Sequence, residues 1–153
     1  MVASPAEAQE LLARQLEGPV AAEPWVRHVE HDPELGRWYL RFACDTRDAA
    51  TIYFDVHDRT LRYELYFLPD PPALPLEFYR WLLRRNHTTY GAHFSLGPDG
   101  DVYLVGRVLL EHLDEAELDR VIGVLYETVE TAFPTAIRLA FGAGRPAAGP
   151  ERA

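Results

Sequence analysis

Between residues 25 and 68 the apolar positions recur every second residue. Trp38, Leu40 and Phe42 alternate with Arg37, Tyr39 and Arg41, and Ile52, Phe54 and Val56 alternate with Thr51, Tyr53 and Asp55. Leu61, Tyr63, Leu65 and Phe67 continue the pattern against Arg62, Glu64, Tyr66 and Leu68. A period of two belongs to an antiparallel sheet that is covered on one side. Polar breaks at 32–36, 45–48 and 57–59 are short enough for hairpins, so this stretch predicts a meander of four strands. Ahead of it, Ser4, Pro5 and Glu7 have the order of a capped helix start, with Glu7 placed to close a capping box. Ala8, Leu11, Leu12 and Leu16 then share one stripe, and Gly18-Pro19 predicts an end near residue 17.

Past the meander, Pro69, Pro71 and Pro72 take the chain out of the sheet, because they remove amide donors and fix the backbone. Pro75 opens a second helix to about residue 86. Its apolar residues Leu76, Phe78, Tyr79, Trp81, Leu82 and Leu83 spread over more than one face, whereas a helix with one buried stripe keeps its far side polar. Two explanations stay open: a second subunit covers the extra face, or the first and third helices do. A hairpin over 91–96 and 101–108 turns at Gly97-Pro98-Asp99-Gly100. Asp114 and Glu117 cap a third helix whose stripe is Leu118, Val121, Ile122, Leu125, Val129 and Phe133. Pro134 is expected to stop or kink it, leaving Ile137, Leu139 and Phe141 to a last short turn. The Gly-, Pro- and Ala-rich segment 142–153 is expected to be a disordered tail. The sum is α+β: a single domain over 1–141, with one twisted antiparallel sheet and helices mainly on one face.

Composition narrows the partners. The 153 residues carry a net charge of −9, which repels phosphate and so argues against nucleic acid and anionic membrane as partners. Every one of the 15 positive charges is arginine, a pattern that GC-rich codon usage explains. The single cysteine, Cys44, has no internal partner for a disulfide; with no signal-peptide pattern, the expected compartment is the cytoplasm. Cys44 ends an apolar strand pattern, where a buried, inert thiol is the expectation. The longest apolar runs fall short of a membrane helix.

Four segments, 60–68 (TLRYELYFL), 81–86 (WLLRRN), 100–107 (GDVYLVGR) and 113–118 (LDEAEL), together with the order of elements, resemble the YbjN family of bacterial proteins. The resemblance covers about half the chain, from the middle to the third helix. It implies the fold of type III secretion chaperones, which are small acidic homodimeric α/β proteins, and a sensory or regulatory role with no established reaction. The four strands before the central helix depart from the three of those chaperones. The resemblance brings no catalytic residues with it.

The residues themselves offer little for catalysis. No two of His28, His31, His57, His87, His93 and His112 have the i, i+4 spacing of a helical zinc site, and His28 with Glu30 is the best local pair. Asp55 and Glu64 can meet across a hairpin, with Arg62 and Arg41 near enough to neutralise them. Ser95 has no glycine elbow, and 97–100 is no phosphate loop. Neither an enzyme nor a bound cofactor or metal is expected. The outward side of the sheet is more distinctive. Tyr39, Arg41, Tyr53, Arg62 and Tyr66, with Tyr103 and Arg107, combine the two residue types enriched in binding hot spots. They also suit any half-exposed strand. The reading is a protein-binding module, chaperone-like or regulatory. Those five residues are the candidate surface for a partner protein or extended peptide, and Phe78, Tyr79, Trp81 and Leu82 are the candidate homodimer interface. The alternative is a small-ligand sensor with a pocket between sheet and central helix, lined by Trp38 and Trp81.

Overall fold

The structure, a computed structural model, describes residues 2–73 and 75–142; the expected tail, from 143 onward, lies outside the described residues. In chain order the elements are helix α1 (Pro5–Gln15), strands β1 (Val26–Asp32), β2 (Arg37–Ala43), β3 (Ala49–Val56) and β4 (Thr60–Leu68), helix α2 (Leu76–Thr88), strands β5 (His93–Leu96) and β6 (Val102–Leu109), and helix α3 (Glu115–Phe141). The strands form one antiparallel sheet in the order β1-β2-β3-β4-β6-β5. The architecture is the expected α+β one. The first four strands form the meander, and β6 returns beside β4 after α2 has crossed to the far edge.

Capping sets where the helices begin. The Ser4 hydroxyl accepts the Glu7 amide at 3.2 Å, while the Glu7 carboxylate takes the Ala3 amide at 2.8 Å. The capping box therefore reaches one residue further back than its usual form. The chain then widens into a π-type turn, Leu16–Val20, broken at Gly18 (φ −103°, ψ −109°) ahead of Pro19. At the head of α3 the Asp114 carboxylate accepts the Glu117 amide at 2.8 Å. α3 then runs 27 residues, straight through Pro134. The expected stop does not occur there. Pro134 is exposed, while Phe133, Ala136, Ile137 and Ala140 around it stay buried. Their packing offsets the one amide that proline lacks.

All three helices lie on one face of the sheet. The Trp38 indole donates to Gln9 of α1 at 2.8 Å. Phe42 meets Tyr126 of α3 at 5.4 Å, and Phe67 meets Phe133 of α3 edge-on at 5.7 Å. Between sheet and helices, Leu12, Leu16, Leu40, Phe42, Ile52, Phe54, Leu61, Leu65 and Phe67 are fully buried. Each such side chain contributes about 1.5–3 kcal/mol from removal of apolar surface from water.

α2 sits over β5 at the sheet edge. Asn86 acts there as an extra piece of backbone, its carbonyl oxygen accepting the Phe94 amide at 2.8 Å and its NH2 donating to the Phe94 carbonyl at 3.0 Å. This packing corrects the expected interface. Phe78 is fully buried and Leu82 nearly so within the chain itself. Trp81 lies against Phe94 and Phe78, and Tyr79 is half-buried on the core. Phe78 and Leu82 are thus core residues with no surface to offer a second subunit. The leucines of α2 that do point outward are Leu76 and Leu83, 65% and 69% exposed.

Candidate functional site

Strand register determines what the helix-free face displays. One row of directly opposed residues crosses all six strands: Glu30, Tyr39, Tyr53, Glu64, Val105 and His93. Beside it runs a row of charges, Asp32, Arg37, Asp55, Arg62 and Arg107. On the other side His28, Arg41 and Thr51 are opposed across β1, β2 and β3, and Tyr66, Tyr103 and Ser95 across β4, β6 and β5. Side chains in such rows stand about 5 Å apart and contact one another directly.

The contacts follow that spacing. Tyr39 and Tyr53 pack edge-to-face at 5.2 Å, as do Tyr66 and Tyr103 at 5.6 Å. The Arg37 guanidinium lies 5.5 Å from the Tyr53 ring centre and grips Asp55 with two hydrogen bonds, 2.7 and 3.3 Å. The Asp55 hydrogen bond raises Arg37 above the ordinary guanidinium value, against the effect of burial. Arg62 pairs with Glu64 of its own strand at 2.6 Å. Arg41 donates to Thr51 at 3.3 Å. The carboxylates Asp55 and Glu64 are therefore neutralised singly, and Arg37 rather than Arg62 or Arg41 holds Asp55. In a chain of net charge −9 this face is balanced, with Arg37, Arg41, Arg62 and Arg107 against Glu30, Asp32, Asp55 and Glu64.

All five candidate surface residues fall on this face, but they are not equally accessible. Tyr53 is 6% and Tyr66 8% exposed with no described helix above them, because neighbouring rings and the Arg37 guanidinium close over them. Both form the floor of the surface. Tyr39, Arg41 and Arg62 form its relief, joined by Tyr103, Val105, Arg107 and His93. Val105 and His93 complete the central row because β6 lies between β4 and β5, a pairing that alternation within one strand does not specify.

The other candidates separate. Trp38 is 2% exposed, stacked on His31 at 4.2 Å beneath α1, while Trp81 lies over β5. Four strand spacings, about 19 Å, divide β2 from β5, so the two tryptophans do not line one pocket. His28 and Glu30 approach to 3.3 Å and both are exposed. Among the described residues no group of three or more His, Cys, Asp or Glu side chains is placed to hold a metal ion. No described helix is long and apolar enough to cross a membrane. Cys44 is only partly buried, and its thiol hydrogen-bonds the Glu130 carboxylate.

Solved structures of similar architecture include complexes, one of them of a type III secretion chaperone. A chain of the ExsC–ExsE complex superposes with a TM-score of 0.62 at 15% identity, covering 94% of this chain and all of that one. The Yersinia pestis type III secretion chaperone structure, SycH with a fragment of YscM2, gives 0.54 at 15% identity over 84% of this chain and 98% of that one. Such identities show the fold alone. In sequence, an uncharacterized protein of Mycobacterium leprae is 44% identical over 107 residues, 70% of this chain and 58% of that protein. One from Mycobacterium tuberculosis is 37% identical over 86 residues, 56% of this chain and 47% of that protein. The chain thus spans about half the length of the curated relatives it matches. The YbjN family, described as "Putative bacterial sensory transduction regulator", matches residues 16–138, and the chain belongs to that family.

Proposed function

We propose that this chain is a non-enzymatic protein-binding module of the cytoplasm, chaperone-like or regulatory, which holds an extended segment of a partner protein on the helix-free face of its sheet. The observation that carries this reading is the composition of that face: four tyrosines and four arginines in cross-strand rows, with no helix of the described residues packed above them. Tyrosine offers large, stiff area with a polar tip, and arginine offers donors to backbone carbonyls and carboxylates, the two residue types that dominate binding hot spots. The two structures of similar fold described above, one of them of a type III secretion chaperone, are complexes with another protein or a fragment of one, and the family description is regulatory. Both agree with a module that acts by binding.

The same reading includes a homodimer formed through α2. Leu76, Tyr79 and Leu83 stand at i, i+3 and i+7 on its outer side. Of the earlier candidates only Tyr79 belongs to that stripe. Leu83→Glu is expected to convert a dimer to a monomer in light scattering. A wild-type protein that is already monomeric at micromolar concentration would remove the dimer from the account.

The test of the binding face is co-purification from the native cytoplasm with Tyr39→Ser, Arg107→Ser and their combination beside the wild type. A stoichiometric protein lost with the double variant is the expected result. Equal capture by all four proteins would sink the reading.

A further inference from the structure

We propose that the groove between the Leu16–Val20 turn and the first half of α3 receives an arginine side chain of a partner polypeptide, a second binding site on the helical side of the molecule. The groove has a volume of about 450 Å³, within the range of sites that take small molecules and single side chains. Its chemistry is specific. The Trp25 and Tyr126 rings, 5.5 Å apart and tilted by 51°, form an aromatic wall. Glu23 and Asp119 place exposed carboxylates at the rim. Gln15 is only 8% exposed, lines the groove, and makes no side-chain hydrogen bond among the described residues. Its amide therefore offers a spare donor and a spare acceptor on the groove wall to the polar atoms of a ligand.

Gly123 keeps the groove open. It sits in the middle of α3, where glycine costs about 1 kcal/mol relative to alanine. A Cβ there would meet nothing within 4 Å, so no close packing requires the glycine. What it supplies is empty space between the acidic rim and the aromatic wall.

Of the common side chains, arginine answers all of these features together. Its planar guanidinium stacks on aromatic faces, and its fork of donors serves two carboxylates and an amide oxygen. Its methylene stem suits the apolar wall of Val20 and Ile122. The electrostatics also favour a cation. The chain carries −9 overall, and the Tyr126 phenol is pushed up by burial first and then by the nearby Glu130 and Asp45 carboxylates. The groove lies on the helical side and the tyrosine–arginine rows on the other side of the sheet, so either site can fail without the other.

The probe is the blocked tripeptide acetyl-Leu-Arg-Leu-amide, titrated calorimetrically and by the indole NMR signal of Trp25. Lysine and citrulline peptides serve as comparisons. The arginine peptide is expected to shift the Trp25 signal and to bind about tenfold more tightly than its uncharged citrulline isostere, the value of one charge-assisted contact. The lysine peptide is expected to bind more weakly than the arginine one. Asp119→Asn with Glu23→Gln should weaken the arginine peptide by about fivefold to tenfold. Gly123→Leu fills the groove while improving helix propensity, so binding should vanish with the melting temperature unchanged or raised. An unmoved Trp25 signal at millimolar peptide would overturn the proposal. So would equal affinity for the citrulline peptide, or binding that survives Gly123→Leu.

Discussion

Gly106 of β6 lies directly opposite Tyr63 of β4, and the tyrosine ring occupies the space that a side chain at position 106 would fill. A Cβ there would overlap the Tyr63 ring and come within 2.6 Å of the Gly91 carbonyl oxygen. The ring is not free to move aside. Tyr63 is 1% exposed, its hydroxyl donates to that same Gly91 carbonyl, and burial raises its phenol above the ordinary value beside Arg120. Gly106→Ala therefore forces a choice between displacing the 91 loop and tilting the ring out of its hydrogen bond. Overpacking costs about 1–3 kcal/mol and the lost hydrogen bond about 1 kcal/mol, so about 2–4 kcal/mol in all. For a chain of this size that lowers the melting temperature by roughly 4–16 °C. Thermal melts of Gly106→Ala, Tyr63→Leu and the double variant make the cycle. The double variant should be more stable than the summed single losses imply by at least about 1 kcal/mol, because leucine vacates the contested space. A Gly106→Ala melting temperature within a degree of wild type, or strict additivity in the cycle, would refute the packing argument.

Glu130 should make stability depend on acid. Burial pushes its carboxyl up, but hydrogen bonds from the Asp45 and Thr46 amides and the Thr46 hydroxyl prevail and hold it below the ordinary value. A depressed folded value gives stability that is complete above the unfolded value near 4.5 and is lost as pH falls through the folded one. Glu130→Gln should accordingly flatten the urea-denaturation pH profile below that point and cost about 1–2 kcal/mol at neutral pH; an unchanged slope would contradict the assignment. Pro134→Ala restores an amide donor inside a continuous helix and should raise stability by about 1–2 kcal/mol; a lower melting temperature would mean that the proline stiffens the helix more than it weakens it. Asn86→Ala removes both side-chain bonds to Phe94 and should cost about 1–3 kcal/mol, with faster hydrogen exchange at the Phe94 amide as its local signature; an exchange rate equal to wild type would sink that role.

What the sequence made legible was whatever depends on neighbours in the chain. Alternation in 25–68 is a local property, and it specified both the strands and which side of each faces the helices, from Trp38 to Phe67. Caps are local too, and Ser4 and Asp114 start their helices as the residue types dictate. The departures lie where tertiary packing decides. Pro134 breaks an isolated helix, yet buried neighbours on either side carry α3 across it. In α2 the rotation about the helix axis depends on how β5 and α3 receive it, so Phe78 and Leu82 turned inward while Leu76 and Leu83 turned out. On the open face, alternation placed Tyr53 and Tyr66 correctly. Their burial comes from cross-strand register, which brings Arg37 over one and Tyr103 against the other. The groove at Gly123 had one visible signal, a glycine in the middle of an otherwise regular amphipathic stripe. Its wall came from Trp25 and Gln15, about a hundred residues away in sequence.

The central claim is that the tyrosine–arginine face contacts another protein, and photo-crosslinking inside the native cell tests it most directly. A photoreactive phenylalanine analogue at position 39 or 103, both half-exposed on that face, would be compared with the same analogue at the exposed position 111 outside it. The account predicts one shared protein adduct at 39 and 103 and none at 111. Adducts absent at both face positions, or equal at all three, would contradict it.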